Sequence, residues 1–346
     1  MDIGKLVEKV IGEGGNEIQL KIGSKPLMRK NKLLRGMDLP TIVEEDVTGV
    51  LTELLPPEEL KKVAKKTYFE TNIFGKLPAN IRLTVFHAQE KPVLIIKIIS
   101  NKMPTLKDIG FPDALVSLIE SRKGLFIVTG PARSGISTTI AAIVEHLNNK
   151  FSRHIITIED PIEFNFESKK SRITQRQIGK DILDFNQGLN FAKKMDVDTF
   201  IISDIKQTVP FKSILELVAG GSFVILAMSS LVFVAAIEKF VFDFPEEHRD
   251  YVWQVLADNL LGVCSQALIA TKNASQIVPA FEILIMNSIA AGIIQKGKAS
   301  QLEGNIMNLG MGSALFGEYV NHLILKNAID RPSADAFLEL LRSTKV

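Results

Sequence analysis

The sequence predicts an α/β protein in two parts: a small α+β domain over residues 1–103, then a mainly parallel sheet flanked by helices over residues 104–346 and ending in a helical region. Three observations carry this. Early segments repeat with the period of a helix or of a half-buried strand. Later segments are short continuous apolar runs separated by helices, the pattern of a sheet covered on both faces. Between one such run and the helix after it lies a glycine-rich loop.

From the N-terminus, Ile3, Leu6, Val7, Val10 and Ile11 recur at helical spacing, and Gly12, Gly14 and Gly15 end that helix. Ile18, Leu20 and Ile22 alternate with Glu17, Gln19 and Lys21, as a strand with one buried face does. Thr41 and Glu44 have capping-box spacing, so a helix is expected there with Glu44 reaching back to the Thr41 amide. Pro56, Pro57, Glu58 and Glu59 open another, because a first turn tolerates proline and its dipole favours acids. Ile81, Leu83 and Val85 alternate again, residues 92–99 read as a nearly continuous strand, and residues 101–107, bearing Pro104, are the expected linker. Beyond it, residues 125–129, 154–158, 199–202 and 223–226 read as buried strands, residues 137–147 as a helix, and the C-terminal region as helices ending in one capped by Ser333. Residues 217–237 carry no charge and are long enough to cross a bilayer. The other account is a buried strand and a packed helix, punctuated by Gly220, Gly221, Ser222, Ser229 and Ser230. It is preferred, because a spanning helix would cut through the parallel sheet.

Lys plus Arg is 41 against 39 for Asp plus Glu, a net charge of +2, which argues against a dedicated nucleic-acid binder. Apolar residues at 46% and charged residues at 23% exclude wholesale disorder. A single cysteine, Cys264, excludes an internal disulfide framework and a thiolate zinc cluster, and its apolar neighbours mark an inert thiol. With no apolar core of signal-peptide length at the N-terminus, these features point to the cytoplasm. His87, His146, His154, His248 and His322 lack metal-ligand spacing, and Lys61, Lys62, Lys65 and Lys66 share a helix with Glu58 and Glu59 as a solvated face.

Chemistry concentrates at Gly130, Pro131, Ala132, Arg133, Ser134, Gly135, Ile136, Ser137 and Thr138. Compared with the phosphate-binding pattern G-x-x-x-x-G-K-[ST], both glycines and the hydroxyl are in register, but Ile136 stands where lysine belongs. The glycines let backbone N–H groups converge on an anion, the helix N-terminus adds partial positive charge, and Ser137 would hold Mg²⁺. Ile136 can neither donate nor carry charge, so the bridge to the outer phosphates is missing. A weak nucleotide cradle and a glycine turn without a ligand both stand at this point.

The chain resembles the family of type IV pilus retraction ATPases and their type II secretion relatives along nearly its whole length. The family loop reads roughly GPTGSGKST against GPARSGIST here. The run Ile155, Ile156, Thr157, Ile158, Glu159, Asp160, Pro161, Ile162, Glu163, Phe164 is similar to the family's intact acidic box, with Glu163 at the position of its general base. The resemblance implies a PAS-like N-terminal domain, a RecA-like P-loop domain, a hexameric ring and a place in twitching motility. It also implies contact with the inner-membrane platform protein of the pilus, which would hold a cytoplasmic chain at that membrane.

Departures from the family pattern fall on its cations and catalytic groups. The Walker B Gly-Glu becomes Ser203-Asp204, leaving Asp204 as a shorter carboxylate beside Lys206. Helix arginines fall on Asn190 and Lys194, the His-box histidines on Ser222 and Ser229, and the two arginines of a late helix on Ala291 and Gln295. Of two N-terminal arginines expected to reach a neighbour's nucleotide, Arg82 is kept and Asn80 replaces the other. Phosphoryl transfer is mostly cationic stabilisation around a positioned water. The resemblance therefore implies a pseudo-ATPase that binds ATP and Mg²⁺ weakly, with Glu163 and Asp204 as its remaining catalytic groups. It would form its own ring or assemble with an active motor. The alternatives are a working retraction motor in which Arg133 or a neighbour replaces the lysine, and a scaffold that meets no nucleotide.

Overall fold

The computed structural model describes residues 1–30, 33–65, 67–99, 103–203, 211–270 and 277–344, and the chain divides into units Met1–Met103 and Pro104–Val346, each with its own core. In the first unit α1 (Ile3–Gly12) buries Ile3, Leu6, Val7 and Val10. Ile11, assigned to the same face from its spacing, is exposed, because each residue turns the helix by about 100° and Ile11 falls past the edge of the stripe. The remaining elements are β1 (Glu17–Lys21), β2 (Leu27–Lys30), β3 (Leu33–Gly36), α2 (Glu44–Leu54), α3 (Pro57–Lys65), β4 (Tyr68–Ile73), β5 (Asn80–Ala88) and β6 (Lys91–Ile99). The strands form an antiparallel six-stranded sheet in the order β3-β2-β1-β6-β5-β4. Ile18, Leu20, Ile81 and Leu83 share one cluster with Val47 and Val50 of α2.

The helix start expected at Thr41 is displaced. Backbone bonds from Gly23 N to Ile42 O at 2.9 Å and from Ile42 N to Ser24 O at 3.0 Å hold this segment extended. Helix α2 therefore begins at Glu44, with Asp46 Oδ2 accepting from Val43 N at 3.1 Å in place of the Glu44–Thr41 bond.

The second unit runs α4 (Val116–Ile119), β7 (Gly124–Gly130), α5 (Ile136–Lys150), β8 (His154–Glu159), β9 (Arg172–Gln177), α6 (Phe185–Ala192), β10 (Thr199–Ser203), α7 (Phe211–Ala219) and β11 (Phe223–Ser229). It continues through α8 (Phe233–Phe242), α9 (Glu246–Asn259), β12 (Leu260–Ala270), β13 (Ile277–Ile285), α10 (Ser288–Gln295), α11 (Gln301–Gly304), α12 (Phe316–Leu325) and α13 (Arg331–Thr344). Seven strands lie in the order β13-β12-β7-β11-β10-β8-β9, and only the β12–β13 pair is antiparallel. Along β7, Leu125 and Ile127 enter one core while Phe126 and Val128 enter another, so successive side chains feed opposite faces and both are covered.

The uncharged residues 217–237 are the end of α7, strand β11 and the start of α8, and among the described residues no helix is long and apolar enough to cross a membrane. The last helix starts at Arg331, earlier than its sequence suggested. Asp330 Oδ1 accepts from Ser333 N at 2.8 Å, making Asp330 the cap, and Pro332 sits in a first turn that does not need its N–H.

Candidate nucleotide site

Parallel β7, β8, β10 and β11 end at one edge of the sheet, so the loops that follow them gather there, the usual ligand crevice of such sheets. At the end of β7 the chain must pass close under β12. A Cβ on Gly130 would stand 2.3 Å from Gln266 O and 2.4 Å from Ser134 Oγ, so only glycine fits. Gly135 turns into α5 with φ +88° as the helix N-cap. Arg133 stands where the family has glycine, and it too takes a left-handed conformation, φ +66°, with its side chain exposed. The loop makes this turn without a glycine at position 133, at a cost of about 1–2 kcal/mol.

Gln266 of β12 braces this loop from below. Its Nε2 donates to Ser134 O at 2.7 Å, and its Oε1 accepts from Thr139 Oγ1 at 2.5 Å, so one buried amide ties the loop to the first turn of α5. Ser134 Oγ points across the loop toward Gly130 and has no hydrogen-bond partner among the described residues, although Ser134 is only 3% exposed. A buried hydroxyl without a partner is costly, and it lies in a loop whose two glycines let it close tightly on Gln266. At the position where the family has its lysine, the half-buried Ile136 packs against the cluster containing Phe126, Val128 and Ile140.

Opposite the loop, β8 delivers the acids. Glu159 is 7% exposed and accepts from Thr157 Oγ1 at 2.6 Å and from Gln175 Nε2 at 3.1 Å. Burial pushes its carboxyl up to about 7; the Thr157 and Gln175 bonds oppose that rise, and the neighbouring Glu163 charge adds to it. After the cis Asp160–Pro161 peptide, Gln175 also fixes the loop carrying Glu163: its Nε2 donates to Phe164 O at 2.8 Å and its Oε1 accepts from Phe166 N at 2.8 Å. Ser137, Thr157, Glu159, Glu163 and Ser203 border a cleft of about 10 Å³, room for roughly one water.

The other expected residues are distributed as follows. Pro131, Ala132 and Arg133 form the exposed tip of the loop, and Gly135, Ile136, Ser137 and Thr138 are half-buried at the start of α5. Asp204 and Lys206 lie outside the described residues. Asn190 and Lys194 are exposed at and after α6. Ser222 and Ser229 flank β11 at opposite ends: Ser229 pairs with Gly130 beside the loop, whereas Ser222 O accepts from Gly124 N at the far end of β7. Ser222 and Ser229 therefore cannot act on one phosphate. Arg82 belongs to the first unit, where its Nε donates to Asn72 Oδ1 at 3.1 Å across the β4–β5 pair. Sequence reasoning gave no role to Gln266, Gln175 or Thr157. For Thr157 and Gln266 the signal was a polar side chain inside an otherwise apolar strand, whereas Gln175 lies in the polar β9 and had none.

With this geometry in view, residues 80–226 match a family model described as Type II/IV secretion system protein. The chain is 28% identical over 337 residues to the type IV pilus retraction ATPase PilT of Pseudomonas aeruginosa, covering 96% of this chain and 97% of that protein. It is 32% identical over 270 residues to YggR of Escherichia coli (strain K12), covering 78% of this chain and 82% of YggR. The chain belongs to the PilT/type II secretion ATPase family. A crystal structure of the pilus retraction motor PilT with bound ADP superposes with a TM-score of 0.89 at 26% identity, covering 96% of each chain. The architecture is accordingly that of the family, an N-terminal α+β domain followed by a RecA-like ATPase domain.

Proposed function

We propose that this chain is a nucleotide-binding, hydrolysis-impaired subunit of a type IV pilus or secretion motor. The observation that carries this is a phosphate loop held in shape by Gln266 while Ile136, at the lysine position, is committed to the core. The acids persist on the other side of the cleft, with Glu159 set in place by Thr157 and Gln175 and Glu163 beside it. In this arrangement the residues of the loop from Gly130 to Thr138 bind phosphate, Ser137 would hold Mg²⁺, and Glu163 stands where a base would orient water. Without a lysine at position 136 to take up developing charge, turnover is slow. Arg82 would serve a nucleotide on a neighbouring subunit, as the ring-forming resemblance implies. The partners are further copies of this chain or an active homologue, with the inner-membrane platform protein of the pilus, which places the chain on the cytoplasmic side.

A Mg-ATP titration of the purified chain paired with a phosphate-release assay tests this. Binding with little release is the expected result. Turnover at ordinary ATPase rates that Glu163→Gln abolishes identifies a working motor instead, and no binding at millimolar ATP identifies a scaffold. Ile136→Lys alone is expected to strengthen binding without restoring turnover, since Asn190, Ser229, Ala291 and Gln295 still lack the family's cationic groups.

A further inference from the structure

We infer that Lys239 of α8 is a phosphate-binding residue that reaches the loop after β7 from a helix outside it. This rests on the nucleotide-binding reading above and adds a cation that the loop pattern does not contain. The ammonium is held at the end of the sheet, where Lys239 Nζ donates to Ser229 O at 3.0 Å. Ser229 is the last residue of β11 and pairs with Gly130, the first glycine of the loop. Thr129 Oγ1 closes the same junction, 2.9 Å from Met228 O and 3.1 Å from Ser230 O. The cation is thus set against the strand end beside the start of the loop, in the crevice where ligands of such sheets collect.

The fold explains how a residue from the last turn of α8 returns to this edge. Helix α8 begins at Phe233, and Lys239 lies about 9 Å further along its axis. Helical side chains lean toward the N-terminus, so the four-carbon stem of lysine is directed back to the strand end. Phe233, Ala236, Ile237 and Phe240 are buried, which fixes the helix that carries it. Lys239 and Ser229 are themselves exposed, so the ammonium is open to a ligand. Ser229 O takes one of its three N–H donors, and a phosphate oxygen makes a stronger, charge-assisted bond than a neutral carbonyl does. Ile136 of α5 packs with Phe126 and Val128, whereas α8 packs with Leu125 and Ile127 on the other face of β7. The two positions therefore approach the loop from opposite sides of the sheet, and the cation at one does not require a cation at the other.

Calorimetric titration of the full chain with a magnesium-bound, non-hydrolysable ATP analogue tests the inference in the wild type, Lys239→Gln and Lys239→Arg. Glutamine keeps an N–H donor for Ser229 O and removes the charge, and affinity is expected to fall about tenfold, the scale of one charge-assisted hydrogen bond. Lys239→Arg is expected to stay within about threefold of the wild type, because the charge is kept. Wild-type affinity should also fall more steeply with added salt than that of Lys239→Gln, since screening acts on the charge and not on the strand–helix contact. Unchanged affinity in Lys239→Gln, an equal loss in Lys239→Arg, or a loss that leaves the salt dependence as it was overturns the inference and leaves the nucleotide-binding reading intact. No binding by the wild-type chain overturns that reading itself. Should Lys239→Gln lose the native unfolding transition of Trp253, the unaltered chain decides: acetylation of Lys239, followed by mass spectrometry, must slow when the analogue saturates the site, and an unchanged rate refutes the contact.

Discussion

Replacing Gln266 with leucine removes the brace between the phosphate loop and α5 while keeping the volume of the site nearly constant. The wild-type amide makes bonds of 2.7 Å to Ser134 O and 2.5 Å from Thr139 Oγ1, all in a region from which water is excluded. Each bond contributes about 0.5–1.5 kcal/mol net, and each group left buried without a partner costs about 1–3 kcal/mol. Some relaxation of the loop offsets this, so a loss of about 2–4 kcal/mol is expected for the second unit. The assay is built into the chain: its single tryptophan, Trp253, is 7% exposed on α9 in the second unit, so its fluorescence in a urea or heat titration follows that unit alone. For a unit of this size the midpoint should fall by about 5–10 °C. Nucleotide affinity should fall with it, because Ser134 and Gly135 lose their support. A loss below about 1 kcal/mol would show that the loop holds its shape without Gln266, and the account of the cradle would be wrong.

Further expectations concern single groups. Arg133→Gly relieves a left-handed residue at φ +66° and should stabilise the second unit by about 0.5–1 kcal/mol once the extra flexibility of glycine is deducted, read from the same Trp253 transition; a loss there refutes it. Glu159 holds its proton up to about 7, against 4.5 for an ordinary glutamate, so the folded state binds the proton more tightly than the unfolded one. Its contribution is therefore favourable at low pH and is lost between about pH 4.5 and pH 7. Glu159→Gln should stabilise the protein by about 2–3 kcal/mol more at about pH 8 than at about pH 5, and an effect independent of pH in parallel urea titrations would contradict this. Glu282 is 3% exposed, and its carboxylate accepts from Phe233 N at 3.1 Å and Phe316 N at 3.4 Å, joining the starts of α8 and α12. Glu282→Ala should cost about 2–4 kcal/mol, measured by urea unfolding, and a near-neutral change would mean these helix ends find other partners.

Much of the frame was legible in the chain because burial on both faces writes itself as continuous apolar runs. Residues 125–129, 154–158, 199–202 and 223–226 all fall inside β7, β8, β10 and β11. What escaped was whatever lacked a local period. Strand β9 is half-buried at most of its positions and bears Thr174, Gln175, Arg176 and Gln177, so it shows neither alternation nor an apolar run, although Gln175 organises the acidic side of the site. The caps failed for a related reason. Thr41 and Ser333 are good caps by composition, but pairing of Ile42 with Ser24 and the placement of Asp330 before Pro332 decide where the helices begin.

The sequence by itself determined the α/β order, the loop between a buried strand and a helix, and the loss of lysine at Ile136, since each depends on residue type and near spacing. Only the tertiary structure decided that Gln266, far along the chain from the loop, ties Ser134 of that loop to Thr139 of α5. It also decided that Ile136 turns into the core, that Glu159 is buried enough to keep its proton near neutrality, and that Ser222 and Ser229 sit at opposite ends of β11. The physical reason is that hydrogen-bond partners, burial and electric environment are set by segments brought together across the sheet, and neighbours along the chain carry no trace of them.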